Sequence, residues 1–215
     1  MKHFFKRVIL LLTGLSLFSL GIVTTIKANI GYAPWEVFHV GLALTTGLSI
    51  GTISIIVGAV IVIVLLLLRE NLGLGTILNI ILIGIIIDII FPYIPIGETL
   101  ITQIIMMLGG IFIISVGTCL YLKAAWGAGP RDGLMVALTR RTKKPVGVCR
   151  FAIEFVVTII GFFLGGMVGG GTVLFVIAIG FSIQMTFKLF RFDAAAVKHE
   201  TLRDTYILLK NARRR

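Results

Sequence analysis

Residues 27–36 of the chain read KANIGYAPWE, and residues 123–132 read KAAWGAGPRD. In each stretch a long apolar run ends at a lysine, a glycine-containing turn follows, and a proline, Pro34 or Pro130, opens a much shorter segment. Proline suits the first position of a helix, where its missing N–H is not needed. An acidic residue two positions later falls in the first turn, where a carboxylate complements the positive helix end. Both stretches therefore predict the same loop-into-helix unit.

The composition predicts a membrane protein. Of the 215 residues, 58% are hydrophobic and only 13% are charged, and the mean hydropathy is +1.09. A soluble domain cannot bury so much apolar surface, so lipid must cover part of it. Six apolar runs have about the 18 to 22 residues that cross a hydrocarbon core of about 30 Å as a helix. They are residues 8–26, 50–68, 74–91, 101–122, 146–164 and 172–190. The sequence thus predicts an all-α, polytopic bundle of membrane helices.

The charge and the cysteines exclude other classes of protein. The net charge of +11 comes from basic residues that flank the apolar runs, as the positive-inside bias of membrane proteins requires, and not from a nucleic-acid-binding patch. Cys119 and Cys149 lie in or beside apolar runs without the spacing of a metal site or of a disulfide framework. We therefore expect no metal, no cofactor and no nucleic-acid partner.

The two proline-led stretches belong to a longer internal repeat with an offset of 96 residues. Residues 14–91 align with residues 110–187 without a gap. Turn and close-packing residues recur in register, which a random apolar sequence would not produce. The pairs include Gly14/Gly110, Gly21/Gly117, Gly31/Gly127, Gly51/Gly147, Gly84/Gly180, Ser19/Ser115, Lys27/Lys123 and Pro34/Pro130. We predict one repeat unit over residues 1–97, a second over 98–190, and a basic cytoplasmic tail over 191–215. The tail is either a helix on anionic headgroups or a solvated segment.

Two topologies are compatible with this repeat. The segments 35–46 and 131–142 are about 18 Å long as helices, too short to cross alone. If they cross nevertheless, the chain has eight helices in two parallel repeats. If they dip in and return, it has six crossings in two inverted repeats. The second arrangement places all of the 20 Lys and Arg residues except Lys27 on the inner side, so we favour it. Both termini are then cytoplasmic.

Several linked motifs carry a resemblance to a known family. They are GYAPWEV at 31–37, GLSIGT at 47–52, GLGTILN at 73–79, GAGPRDGLM at 127–135, RFAIE at 150–154 and GTVLF at 171–175. Over roughly residues 8 to 190 the chain resembles the YczE-like bacterial membrane proteins, which are related to the YitT group. The resemblance implies a multi-span helical fold in the bacterial inner membrane and supplies no activity. Glu36 replaces an expected aspartate, and Lys143-Lys144-Pro145 replaces a glycine-containing turn.

Charged residues within apolar runs are candidate functional residues, because an unpaired charge in a bilayer costs several kcal/mol. Asp88 lies near the end of its apolar run, where it either caps a helix or belongs to a functional site. Glu154 follows Arg150 by four residues, so both lie on one helix face. This spacing predicts either an internal ion pair or a substrate or proton-relay role. In neither case should Glu154 face lipid.

The two proline-led turns give the sharper site hypothesis. If Pro34 and Pro130 start helices inside the membrane, free N–H groups and positive helix ends lie near its midplane. Trp35 would then offer an aromatic wall and Arg131 a fixed cation. Glu36 and Asp132 would supply counter-charges or cation ligands. The alternative is that both turns cap interfacial helices, with Trp35 in the aromatic belt and Arg131 snorkelling. His39, on a mostly apolar segment, is typical of a packed, hydrogen-bonded residue.

These features predict a small-solute or ion transporter, either of the secondary type or as the membrane component of a larger system. The alternative is a non-transporting scaffold or regulatory partner of another protein. No nucleotide-binding, zinc-protease or serine-hydrolase motif is present in the sequence, so we do not expect an enzyme. The expected partners are the lipid bilayer and a small solute or ion. Self-association into a homo-oligomer is left open.

Overall fold

The computed structural model describes residues 2–193, 197, 200–202 and 204. Within these residues it contains eight α-helices and no strand, so the all-α prediction is confirmed. The helices are α1 (Lys2–Lys27), α2 (Pro34–Thr46), α3 (Ile50–Leu67), α4 (Leu74–Ile90), α5 (Leu100–Lys123), α6 (Pro130–Thr142), α7 (Val146–Phe163) and α8 (Gly170–Leu189).

The six long helices coincide with the six predicted apolar runs. Five of them, α1, α3, α5, α7 and α8, are long and apolar enough to cross a membrane, and α4 is slightly shorter at 17 residues. Local sequence sets their ends: Ser49 caps α3 through the Thr52 N–H, and Thr99 caps α5 through the Thr102 N–H. The result is a polytopic bundle of membrane helices.

The centre of the bundle is an antiparallel crossing of α1 and α5. A methyl group built on Gly14 would lie 2.5 Å from the backbone nitrogen of Tyr121, and one on Gly21 would lie 2.8 Å from the carbonyl oxygen of Gly110. Later residues of α1 therefore meet earlier residues of α5. Without a hydrophobic force between helices in lipid, such small-residue contacts let backbones approach and gain dispersion energy. Glycines that recur in the sequence repeat, among them Gly14, Gly21 and Gly110, thus lie at the central helix crossing.

Two further helices pack beside this axis, α4 on α1 and α8 on α5. Buried hydroxyl groups lie at these contacts: Ser19 donates to the carbonyl of Leu15 in its own helix, at 2.9 Å, and lies 3.5 Å from the carbonyl of Ile83, and Ser115 donates to the Ser182 hydroxyl, at 2.8 Å. Hydrogen bonds of this kind satisfy polar groups that lipid cannot hydrate.

The short helix α2 does not cross the bundle. The Gly97 N–H, just before α5, donates to the carbonyl of Lys27 at the end of α1, at 2.8 Å. Ser49, just before α3, donates to Asp88 near the end of α4. The chain therefore leaves α1 and enters α3 at the same end of the bundle, and α2 dips in from that end. It packs across the molecule on α7, where a methyl group on Gly161 would meet the backbone of Phe38 at 2.5 Å.

The short helix α6 dips in from the other end. Its preceding loop begins at Ala124, whose carbonyl accepts from Nε of Arg7 at 2.7 Å. In its last turn, Arg141 donates to the carbonyl of Leu68 at 3.0 Å. Leu68 belongs to the link between α3 and α4, at the same end as the start of α1. These contacts fit six passes with two re-entrant helices, the arrangement favoured from the sequence, and the number of crossings stays a prediction.

Most basic residues of the described part of the chain lie at the end that carries the starts of α1 and α4, which we call the basic end. There Arg140 pairs with Glu70 at 3.3 Å, and Lys123 donates to the carbonyl of Phe190 at 3.1 Å. Lys27 lies at the opposite end, 4.0 Å from the centre of the Phe91 ring. The predicted tail, residues 191–215, falls mostly outside the described residues.

The helix bounds of the two halves match at the offset of the sequence repeat. Helices α2 and α6 span 34–46 and 130–142, and α3 and α7 span 50–67 and 146–163. Gly47 and Lys143 end the short helices in the same left-handed conformation, with φ of 73° and 56°. The turn that lacks glycine in the second half therefore keeps the geometry of the first. The inverted relation between the halves stays a prediction.

Candidate functional site

A cavity of about 150 Å³ lies between the two short helices. All eight helices contribute residues to its wall. Among these lining residues are eight of the nine predicted site residues: Pro34, Trp35, Glu36, Pro130, Arg131, Asp132, Arg150 and Glu154. The structure thus brings together residues that are up to 120 positions apart in the chain.

The first turns of α2 and α6 both face this cavity. Pro34 and Pro130 occupy the first helical positions, as the sequence predicts. The preceding residues, Ala33 and Gly129, provide no side-chain cap. Two positive helix ends are therefore directed at one cavity from opposite ends of the bundle.

An ion pair joins the two first turns. Nη1 of Arg131 lies 3.2 Å from Oε1 of Glu36, which is only 4% exposed. The guanidinium also lies over the Trp35 ring, 4.9 Å from its centre. Trp35 is therefore a wall of the site, as predicted, but its face is covered by Arg131. Removing either partner would leave the other charge without its counter-charge inside the protein, which is strongly destabilising.

His39 adds a polar group to the site, in the packed, hydrogen-bonded position that the sequence predicts. Its Nδ1 lies 3.4 Å from Nη2 of Arg131. A guanidinium only donates, so in this contact Nδ1 accepts and the ring proton lies on Nε2. Nε2 is buried and has no hydrogen-bond partner among the described residues. The site thus contains a buried donor without an acceptor.

Asp132 is held by a residue from the preceding long helix. The hydroxyl of Tyr121 donates to Oδ2 of Asp132 at 2.7 Å, and Tyr121 itself is 4% exposed. Asn79 of α4 lies beside the same turn, because a methyl group on Gly129 would be 3.4 Å from the Asn79 amide nitrogen. Sequence reasoning missed both Tyr121 and Asn79. A polar residue inside an apolar run was the available signal for Asn79.

Arg150 and Glu154 form the predicted pair on one face of α7. Nε of Arg150 donates to Oε1 of Glu154 at 2.8 Å. Both residues line the cavity, so Glu154 faces the interior and not lipid. The cavity wall therefore contains three carboxylates and two guanidinium groups. No group of three or more His, Cys, Asp or Glu residues in the described part of the chain is arranged to hold a metal ion.

Asp88 is the one predicted site residue that the structure places elsewhere. Its Oδ1 accepts from the Gly51 N–H at 2.8 Å, and its Oδ2 accepts from the Ser49 hydroxyl. The carboxylate therefore caps the start of α3 and does not reach the cavity. The capping alternative considered from the sequence accounts for its position.

Comparison with known proteins identifies relatives over most of the chain. Residues 5–188 match the family described as "Family of unknown function (DUF6198)". An uncharacterized protein of Haemophilus influenzae is 38% identical over 180 residues, which cover 84% of this chain and 83% of the relative. The uncharacterized membrane protein YczE of Bacillus subtilis is 35% identical over 188 residues, 85% of this chain and 87% of the relative. No solved structure matches the chain. The resemblance to YczE-like membrane proteins is confirmed.

Proposed function

The chain belongs to the DUF6198 family of unknown function, and from its cavity we propose that this multi-pass membrane protein is a small-solute or ion transporter. It acts as a secondary transporter or as the membrane component of a larger system. The proposal includes no catalytic step and no bound cofactor.

The observation that supports it best is the position of the charged residues. Glu36, Arg131 and Glu154 lie on the wall of an internal cavity and not at the surface. Ionised groups inside a bilayer are costly and are retained where they face a substrate or ion path. Two re-entrant helices that start at one internal site are also the device by which many secondary transporters bind a solute. A scaffold has no need of such a cavity.

The two halves, residues 1–97 and 98–190, are in this proposal inverted repeats. The antiparallel course of α1 and α5, which are equivalent helices at the repeat offset, supports this relation. So do the matching bounds of α2 and α6. Repeats of this type let one half exchange conformation with the other around a fixed central site.

The basic end is the cytoplasmic side of the bacterial plasma membrane in this proposal. It carries the start of α1, the end of α8 and the basic residues of the α6–α7 link, and the positive-inside rule assigns such an end to the cytoplasm. Both termini are then cytoplasmic. Beyond the bilayer and the solute, the proposal assigns no partner.

Uptake by proteoliposomes tests the proposal. The purified protein is reconstituted and supplied with a panel of labelled sodium, potassium, phosphate, amino acids and choline, and protein-free liposomes give the background. We expect uptake of at least one solute above background. Arg131→Gln and Glu154→Gln should each reduce it about tenfold or more, equivalent to about 1.4 kcal/mol. Arg140→Gln, which removes an exposed charge, is the matched control and should leave uptake unchanged.

Two results would contradict the proposal. Uptake that is unaltered in both Arg131→Gln and Glu154→Gln would remove the cavity as the site of transport. A dry cavity, detected as the absence of any accessibility of a cysteine at Met135 to small thiol reagents, would favour the scaffold.

A further inference from the structure

The two halves differ at one pair of equivalent contacts. In the first half α3 and α4 pack closely: a methyl group on Gly84 would lie 2.5 Å from the carbonyl oxygen of Gly51, and one on Gly58 would lie 2.9 Å from the Ile80 side chain. Asp88 locks this contact by accepting hydrogen bonds from the start of α3. Helices α3 and α4 are therefore closed on each other toward the end opposite the basic end.

The equivalent contact of the second half is not formed. The residues that correspond to Gly51 and Gly84 at the repeat offset are Gly147 of α7 and Gly180 of α8. A methyl group on either would meet no atom within 4 Å. Gln184, which corresponds to Asp88, is exposed and makes no hydrogen bond within the described residues. Instead of packing closely on each other, α7 packs on α2 and α6, and α8 packs on α5.

The two glycine positions do not account for this difference, because both are glycine in both halves. A glycine inside a helix costs about 1 kcal/mol relative to alanine. In membrane helices that cost is offset where two backbones approach each other. Gly51 and Gly84 have such a contact, whereas Gly147 and Gly180 have none here. An arrangement in which α7 and α8 meet would give Gly147 and Gly180 the contact that Gly51 and Gly84 have in the first half.

We propose that Gly147 and Gly180 form a second gate, which closes when α7 moves onto α8 as α3 already lies on α4. The proposal rests on the transport function above and adds its moving parts. In the structure described here the gate of the first half is closed and that of the second half is open, at the basic end. In the other state Gly147 contacts Gly180, the Gln184 amide caps the start of α7, and the contact between Gly51 and Gly84 separates.

The same movement explains why Glu154 is paired. Glu154 occupies the position that Gly58 has in the first half, and Val176 occupies that of Ile80. Since Gly58 packs on Ile80, closing the second gate brings α8 over Glu154. A carboxylate covered in this way must be neutralised, and Arg150, at 2.8 Å, provides the charge. The pair on the cavity wall therefore connects the site to the gate.

Disulfide formation tests the gate directly. Gly147→Cys and Gly180→Cys are combined in the full chain, with the two native cysteines replaced by serine, and the protein is oxidised in membrane vesicles. The intact mass after alkylation of the remaining thiols reports an intramolecular bond. The control combines Gly147→Cys with Gly170→Cys, which is equally unobstructed but is the first residue of α8, at the end of the bundle away from Gly147. We expect at least about tenfold more disulfide in the test pair, because the bond requires Cα atoms within about 7 Å.

The outcomes separate the gate from the function. A test pair that oxidises no better than the control overturns the gate, and solute uptake by the same vesicles would leave the transport proposal standing. A disulfide between two molecules, seen as a dimer, also overturns it, since a second copy then covers the open face. An intramolecular disulfide supports the gate, and loss of uptake that returns on reduction ties it to transport.

Discussion

Replacement of Arg131 by glutamine should destabilise the protein strongly. Its partner Glu36 is 4% exposed, and the Arg131 side chain is 25% exposed. Removing one partner of a buried ion pair costs about 3–5 kcal/mol, because the other charge is left buried. Since a quarter of the Arg131 side chain is accessible, we expect a loss near the lower limit, about 3 kcal/mol. Arg140, which is 67% exposed and pairs with Glu70, is the matched control. Arg140→Gln should cost at most about 1 kcal/mol.

The measurement is the free energy of unfolding in mixed micelles, obtained by titration with sodium dodecyl sulfate and followed by circular dichroism. A double-mutant cycle adds Glu36→Gln and the double variant Glu36→Gln/Arg131→Gln. The double variant leaves no buried charge in the pair, so it should be at least about 2 kcal/mol more stable than the sum of the single changes predicts. The reasoning is refuted if Arg131→Gln costs no more than Arg140→Gln, or if the two single changes simply add.

Two further predictions concern packing and topology. Gly84→Ala should destabilise the protein by about 1–3 kcal/mol, because the new methyl group meets the backbone of α3. Gly180→Ala, whose methyl group meets no atom, should be neutral or stabilising by up to about 1 kcal/mol. The same titration measures both variants, and equal losses of stability would contradict the packing difference. Thr46 and Tyr93 are both exposed and lie at one end of the bundle, so cysteines at these positions should react with an impermeant maleimide from the same side of the membrane. A cysteine at Lys144 should react only from the other side. Reaction of the Thr46 and Tyr93 positions from different sides would show that α2 crosses.

The sequence was sufficient for the helices because their signals are local. Apolar runs long enough to cross a bilayer predicted all six long helices, and Pro34 and Pro130 predicted the first residues of the two short ones. The spacing of Arg150 and Glu154 predicted their ion pair, since residues four apart share a helix face. Each of these inferences depends on fewer than about 25 consecutive residues.

The composition of the site was less predictable because it depends on which helices are neighbours. Nearly every face of these helices is apolar, so periodicity does not distinguish a face toward lipid from one toward protein. The contact of α2 with α7 therefore had no sequence signal. The repeat placed Glu36 and Arg131 in one site as counter-charge and cation, but did not predict which carboxylate pairs with Arg131. For the same reason the sequence did not identify Arg131 as the hydrogen-bond partner of His39, and Asp88 was included in a site whose cavity it does not line.

The central crossing of α1 and α5 has a consequence for the order of assembly in the membrane. The glycines of α1 find their partner only when α5, almost 100 residues later in synthesis, has been inserted. Likewise, α2 can pack on α7 only after α7 has been inserted. Helices α1 and α2 must therefore enter the bilayer with the surfaces that later pack on α5 and α7 still covered by lipid tails. Final docking is delayed until most of the polypeptide has left the ribosome, so a nascent chain arrested before α5 should remain loosely associated and exposed to membrane proteases.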